Sequence, residues 1–174
     1  MHPRFSYDLK YCSISRALDV VGEKWTLLLI REAIYGVRRF DDFARALNCG
    51  RAVLSARLKM LTDEGVLEGR EYAVPGQRKR VEYHLTAKGR ELFLAVQALS
   101  QWSERWMPPP EGPVARVIDR QSGRPVTVVM TSDPGVQRLT MNDIDILPGP
   151  GAKLLPQTEK KSGAVKGVRK VREE

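Results

Sequence analysis

The chain has 174 residues, 29 of them basic and 21 acidic, for a net charge of +8. That length suits one domain with an appendage and a real core, and the basic excess favours a polyanionic partner, either nucleic acid or an anionic membrane. Cys12 and Cys49 are far apart, "MHPRFSYDLKYCS" lacks an apolar signal core, and no run of 18 apolar residues occurs; the expectation is a soluble cytoplasmic protein with reduced thiols and no membrane association.

The charge is unevenly placed. Residues 1–107 carry 18 basic and 13 acidic groups, 108–152 carry 4 and 5, and 153–174 carry 7 and 3. After an N-terminal arm (1–11), Ser13 is expected to cap a helix over "ISRALDVVG", in which Ile14, Leu18 and Val21 share a face and Gly22 closes the end. "EKWTLLLIREAIYG" is almost wholly apolar from Trp25 to Ile30 and reads as the buried central helix. "DDFARALN" begins with Asp41 and Asp42, which suit the positive end of a third helix.

A tight turn through Asn48, Cys49 and Gly50 leads to "RAVLSARLKMLTDEG", where Leu54, Leu58 and Leu61 recur on one face. The opposite face carries Ala52, Ser55, Ala56 and Lys59, flanked by Arg51 and Arg57, with no acid before Asp63. Beyond Gly65 the period falls to two. "VLEGREY" and "RVEYHLT" form a predicted hairpin turning at Pro75-Gly76, with Arg78, Lys79 and Arg80 at or near its tip. A short helix, a turn, a second helix and a basic-tipped hairpin make a winged helix-turn-helix.

Thr86 is expected to cap one long helix, "AKGRELFLAVQALSQWSERW", on which Leu92, Ala95, Leu99, Trp102 and Trp106 step by three and four. With Phe93 and Val96 beside it, that seam has more to bury than a small domain covers. Packing onto its own domain is one reading; two-fold pairing with a second subunit is the other, and the better supported. "MPPPEGP" breaks the helix, with 108–113 a stiff linker. "VARVIDRQSGRPVTVVMT" reads as a further hairpin turning at Gln121–Arg124, and "DIDILPGPG" as an added strand, so that 114–152 form a small β extension. The basic stretch 153–174 is expected to be disordered. The fold class is therefore α+β, mainly helical.

The segments "CSISRALDVVGEKWTLLLIRE", "RRFDDFARAL", "VLSARLKMLTDEGVLE", "EYHLTAKGREL" and "QWSERW" occur in unbroken order from Cys12 to Trp106. In this combination the chain resembles the HxlR-type winged helix-turn-helix transcriptional regulators, relatives of the MarR group. The resemblance implies a homodimeric bacterial DNA-binding regulator whose residues 12–107 bind DNA and dimerise. It implies that the second helix of the helix-turn-helix is the recognition helix and the hairpin the wing. The 114–152 segment looks like an extension found in some members. Others place cysteine pairs there and this chain has none, so no zinc or other cofactor is expected. Cys49 stands where such regulators usually carry an apolar residue, which favours a core thiol. Ala52 and Ala56 stand where amides or acids are common, which weakens any transfer of base contacts.

The residues then take roles, each beside a plainer alternative. Ala52 and Ala56 permit close approach in the major groove, Ser55 can bond a base edge or phosphate, and Arg51 can present a fork to guanine; Lys59 completes a face that could equally be solvated surface. Arg57, nearer the core edge, suits a carboxylate as well as a phosphate. Arg78, Lys79 and Arg80 fit phosphates or the minor groove, or simply keep a loop soluble. Arg38 and Arg39 divide evenly between holding the DNA backbone and plain exposure. Cys12, at a helix start near Lys10, is either a small apolar residue or a thiolate able to sense an oxidant or electrophile. Catalysis is disfavoured: His2 and His84 are the sole histidines, Asp41-Asp42 suit a helix start, and no nucleophile elbow, P-loop or metal cluster occurs. The expected function is a sequence-specific regulator, a repressor by the commonest logic of such proteins, acting on double-stranded DNA. A sequence-tolerant architectural DNA binder using the basic tail is the alternative.

Overall fold

A computed structural model describes residues 8–73 and 79–153. A 3₁₀ turn at Leu9–Tyr11 leads into helix α1 (Ser13–Val21), followed by α2 (Lys24–Ile34), α3 (Phe40–Leu47) and α4 (Arg51–Asp63). Ser13 is the first helical residue rather than the cap. The backbone is still extended at Cys12, whose carbonyl accepts the first helical bond from the Arg16 amide at 3.0 Å, so Cys12 holds the N-cap position.

Helix α2 is the centre of the core, as its nearly continuous apolar run predicts. Leu29, Ile30, Ala33 and Ile34 are buried there, against Phe43 and Leu47 of α3 and Leu54, Leu58 and Leu61 of α4. The turn between α3 and α4 closes on Asn48, which ends α3 in the left-handed region at φ 47°. Asparagine tolerates that conformation better than a branched side chain does. Cys49 follows, partly buried against the core as the apolar reading requires.

Strands β1 (Leu67–Tyr72) and β2 (Arg80–Leu85) pair antiparallel, from Leu67 opposite Leu85 to Tyr72 opposite Arg80. Val66, Leu67 and Leu85 anchor the base of this hairpin in the core. A single bridge joins Arg39 to Glu82, and the Tyr83 amide donates to the Arg38 carbonyl at 2.8 Å. The segment before α3 therefore lies beside the hairpin as a rudimentary third strand.

The expected single helix after Thr86 is two: α5 (Ala87–Glu91) and α6 (Phe93–Trp106), parted at Leu92. Thr86 caps α5 as predicted, accepting from the Gly89 amide at 3.1 Å. The break has a tertiary cause. Thr86 donates to the Gly65 carbonyl and Lys88 to the Glu64 carbonyl. A Cβ on Gly89 would stand 2.2 Å from the Val66 carbonyl oxygen, so only glycine allows this approach. With α5 pinned to the start of β1 and α6 packed on α2, the chain tightens at Leu92, whose amide reaches back three residues to the Gly89 carbonyl at 3.3 Å.

In the extension, β3 (Ala115–Asp119) pairs antiparallel with β4 (Ile144–Pro148), Val117 and Ile144 being buried. The predicted turn at Gln121–Arg124 exists: Asp119 accepts the amides of Gln121 and Ser122. Its returning arm is shorter than expected. It meets β3 at a single Ile118–Pro125 bridge, made by the Val126 amide on the Val117 carbonyl at 2.9 Å and the Asp119 amide on the Arg124 carbonyl at 2.8 Å. Proline has no N–H for a ladder, and the longer pairing goes to β4.

Candidate nucleic-acid interface

Helix α4 divides as its periodicity predicts. Leu54, Leu58 and Leu61 are buried, whereas Ala52, Ser55, Ala56 and Lys59 are exposed together. The outward face is thus methyl groups and one hydroxyl between cations. The first turn of α4 carries no acid, so its backbone N–H groups keep their full affinity for an anion. In contrast, α3 has Asp41 and Asp42 in its first turn.

Arg51 starts α4 and is exposed. Its guanidinium lies 3.1 Å from an Asp41 oxygen and 4.7 Å from the centroid of the Phe40 ring. This fork rests on α3 until a better acceptor arrives, since an exposed ion pair holds only ~0–1 kcal/mol. Lys59 pairs with Asp63 one turn along the helix. Arg57 is half-buried and sits 3.6 Å from the carboxylate of Glu23.

The hairpin stands beside this helix. Lys79 is exposed and reaches Glu71 across the strands at 3.0 Å; Arg80, also exposed, opens β2. Arg78 lies outside the described residues. Midway along the hairpin, Arg39 donates to Glu82 at 2.8 Å and stacks over Tyr72, 4.6 Å from the ring centroid. That hydrogen bond holds the Glu82 carboxyl below its ordinary value and raises the already high one of Arg39.

Arg38 and Arg39, evenly weighed from the sequence, part company. Arg38 is partly buried and spends its guanidinium on the carbonyls of Ala33 and Val37, with burial lowering its pKa. It buttresses the end of α2. Arg39 alone keeps an exposed head. Sequence periodicity misses Asp41, Glu82 and Tyr72, the partners that hold these cations in place. They lie on other elements, ten to forty-three residues away for the ion pairs, and carry no local signal.

The expected dimer seam lies elsewhere, on α6. Leu99, Trp102 and Trp106 are 53%, 56% and 66% exposed, Ala95 is exposed and Leu92 partly buried, while Phe93 turns into the core. Helix α1 buries none of its residues, and Ile14 and Leu18 are exposed. Cys12, partly buried at the start of α1, is not disulfide-bonded. No cluster of three or more potential metal ligands occurs among the described residues, nor a helix long and apolar enough to cross a membrane.

Residues 20–111 match the model of the HxlR-like helix-turn-helix family. The uncharacterised HTH-type transcriptional regulator Rv3095 of Mycobacterium tuberculosis is 40% identical over 141 residues, 81% of this chain and 88% of that protein. A stretch of 141 residues must run past residue 111, so the likeness includes part of the extension. Among solved structures, the candidate transcription factor PA1607 is 33% identical with a TM-score of 0.64, over 79% of this chain and 95% of its own. A second, PA1374 of Pseudomonas aeruginosa, is likewise 33% identical with a TM-score of 0.50, over 82% and 95%. These relatives are transcription regulators rather than enzymes, and DNA is the partner their helix-turn-helix implies. The chain belongs to the HxlR-like helix-turn-helix family of transcriptional regulators.

Proposed function

We propose that the protein is a homodimeric, sequence-specific repressor that sets α4 of each subunit into successive major grooves of a pseudo-palindromic operator. The observation that carries this reading is the outward face of α4, where Ala52, Ser55 and Ala56 are exposed together beside Arg51. A groove about 12 Å wide admits a helix whose facing side chains are slim. Ala52 and Ala56 meet thymine methyls or simply allow approach, Ser55 bonds a base edge or phosphate, and Arg51 leaves Asp41 for guanine O6 and N7. Lys59, Lys79, Arg80 and Arg39 supply backbone contacts, a role the sequence also offers Arg78; Arg38, engaged with carbonyls, takes no part. Pairing through α6, helped by α1, sets two copies of α4 about one helical turn apart, or a multiple of it.

An oxidant or electrophile effector acting at Cys12 belongs to the same reading. Cys12 holds the N-cap of α1, and α1 is part of the proposed interface, so modification there alters pairing.

The test is affinity selection of bound DNA, followed by titrations on the selected site and a scrambled duplex across a salt series. Arg51→Ala is expected to cost roughly 1–3 kcal/mol on the site and much less on scrambled DNA. Lys79→Ala and Arg80→Ala are expected to weaken both duplexes alike, each lowering the salt slope by about 1. Equal affinity of wild type for selected and scrambled DNA would instead make the protein a sequence-tolerant architectural binder.

A further inference from the structure

Past Val126 the extension sends an extended strap, Thr127–Met130, across to α6. The side-chain amide of Gln101 holds it there: Nε2 donates to the Val128 carbonyl at 3.0 Å, and Oε1 accepts the Val128 amide. Between the strap and the helix lies a groove of about 680 Å³. Trp102 and Trp106 line one side and Val128, Val129 and Met130 the other. Its amide is spent on Val128, and its charged lining residues, Glu104 and Arg105, are exposed. A small polar ligand would find few converging groups to orient it. Beyond the clamp, Val129 is 66% exposed and Met130 wholly so.

The occupant follows from area. At about 150–250 Å² for a large aromatic side chain, the exposed parts of Leu99, Trp102 and Trp106 offer roughly 400 Å². A stable interface takes about 800 Å² from each partner. The seam on α6 therefore supplies about half. The missing surface lies in two orphaned places: the strap, continuous with the two tryptophans, and the ridge of Ile14 and Leu18 along α1 with Tyr11 of the turn before it, all exposed. Together these bring the apolar surface to on the order of 1,000 Å² per subunit.

We infer that the strap is a wall of the subunit interface, and that the groove between it and α6 receives the α1 ridge of a second copy of this chain. The inference rests on the dimer reading above and gives the extension a task within it. A two-fold axis makes the contact twice, since each subunit offers both ridge and groove. Gln101 acts as the clasp that keeps the wall upright.

Two measurements on the full chain test this. In sedimentation, Val129→Asp with Met130→Asp is expected to weaken dimerisation at least about tenfold, as is Gln101→Ala, while far-UV circular dichroism stays that of wild type. In a Cys12→Ser, Cys49→Ser background, tagged Ile14→Cys chains mixed with untagged Met130→Cys chains should form a disulfide-linked heterodimer on mild oxidation. Strap variants that dimerise like wild type, with no such cross-link while Leu99→Asp with Trp102→Asp dissociates the chain, would overturn this inference and leave the dimer reading standing. A wild-type monomer at micromolar concentration would overturn both.

Discussion

Helices α4 and α6 both turn a face to solvent, and the two faces could hardly differ more. On α4 the exposed side chains include Ala52, Ser55 and Ala56 among cations, with Val53 at the edge; on α6 they include Leu94, Leu99, Trp102 and Trp106. Exposure is the same observation in both, yet the chemistry selects different partners. Slim and positive surface suits a polyanion with a narrow groove, whereas broad apolar surface costs free energy until another apolar surface covers it. The largest expected effect breaks the second half of this contrast. Leu99→Asp with Trp102→Asp should cost about 3 kcal/mol or more of dimer stability, read by sedimentation equilibrium, with operator affinity falling alongside because a single half-site remains.

The first half is broken by bulk and charge together. Ala56→Glu places an acid on the slim face, where it both fills the space α4 needs and repels phosphates. Affinity for any duplex should fall at least about tenfold per half-site, roughly 1.4 kcal/mol, while dimerisation and melting temperature stay within the small range of surface substitutions. Unchanged DNA binding by this variant would mean that another surface meets the groove.

Both faces were legible in the sequence because they depend on helical period alone. Leu54, Leu58 and Leu61 recur at the spacing that buries one side of a helix, which leaves Ala52, Ser55 and Ala56 outside by geometry. The two strands of the hairpin and the cap at Thr86 were likewise local. What escaped was set across the fold. The break at Leu92 follows from Gly89 meeting the Val66 carbonyl, and nothing between Ala87 and Trp106 is a helix breaker apart from that glycine. The strap at Thr127–Met130 opens with three β-branched residues and reads as a strand of a hairpin, but Val128 is partnered by the amide of Gln101, twenty-seven residues earlier. The pairing of Arg51 with Asp41 joins two helices whose separation in space no periodicity reports.

That pairing sharpens the contrast by a smaller amount. Asp41 is an acid at the edge of the cationic face, and it competes with DNA for Arg51. Removing its charge by Asp41→Asn should raise affinity by a few-fold at most, because an exposed pair is worth ~0–1 kcal/mol. The gain should shrink as salt rises and screens the competing acid. Titrations at two ionic strengths check it; a loss of affinity would assign Asp41 to holding α3 against α4 rather than to restraining Arg51.

The smallest expected effect concerns acid, which should act differently behind the two faces. In the extension that carries the strap, Asp119 and Asp143 have carboxyls below their ordinary range. The amides of Ser122 and Gln121 hold down the first, and the hydroxyl and amide of Thr140 the second. On the side of α4 the corresponding group is Glu82, held down by Arg39. A carboxyl depressed in the folded state binds fewer protons there than in the unfolded chain. Its contribution to stability is therefore complete above the ordinary carboxylate value of about 4 and is lost as pH falls through the depressed one. Asp119→Asn keeps an oxygen for the two amides but cannot titrate. Melting temperatures followed from pH 7 down to about 2.5 should fall less steeply below about pH 4 in this variant than in wild type, with Glu82→Gln removing a separate part of the slope. None of the three is buried, Asp143 being exposed and Asp119 and Glu82 partly so, and solvent screening keeps the change in slope small. A wild-type slope in Asp119→Asn would mean that the turn after β3 contributes nothing to acid stability, and that the extension's resistance to acid lies in its β3–β4 pairing instead.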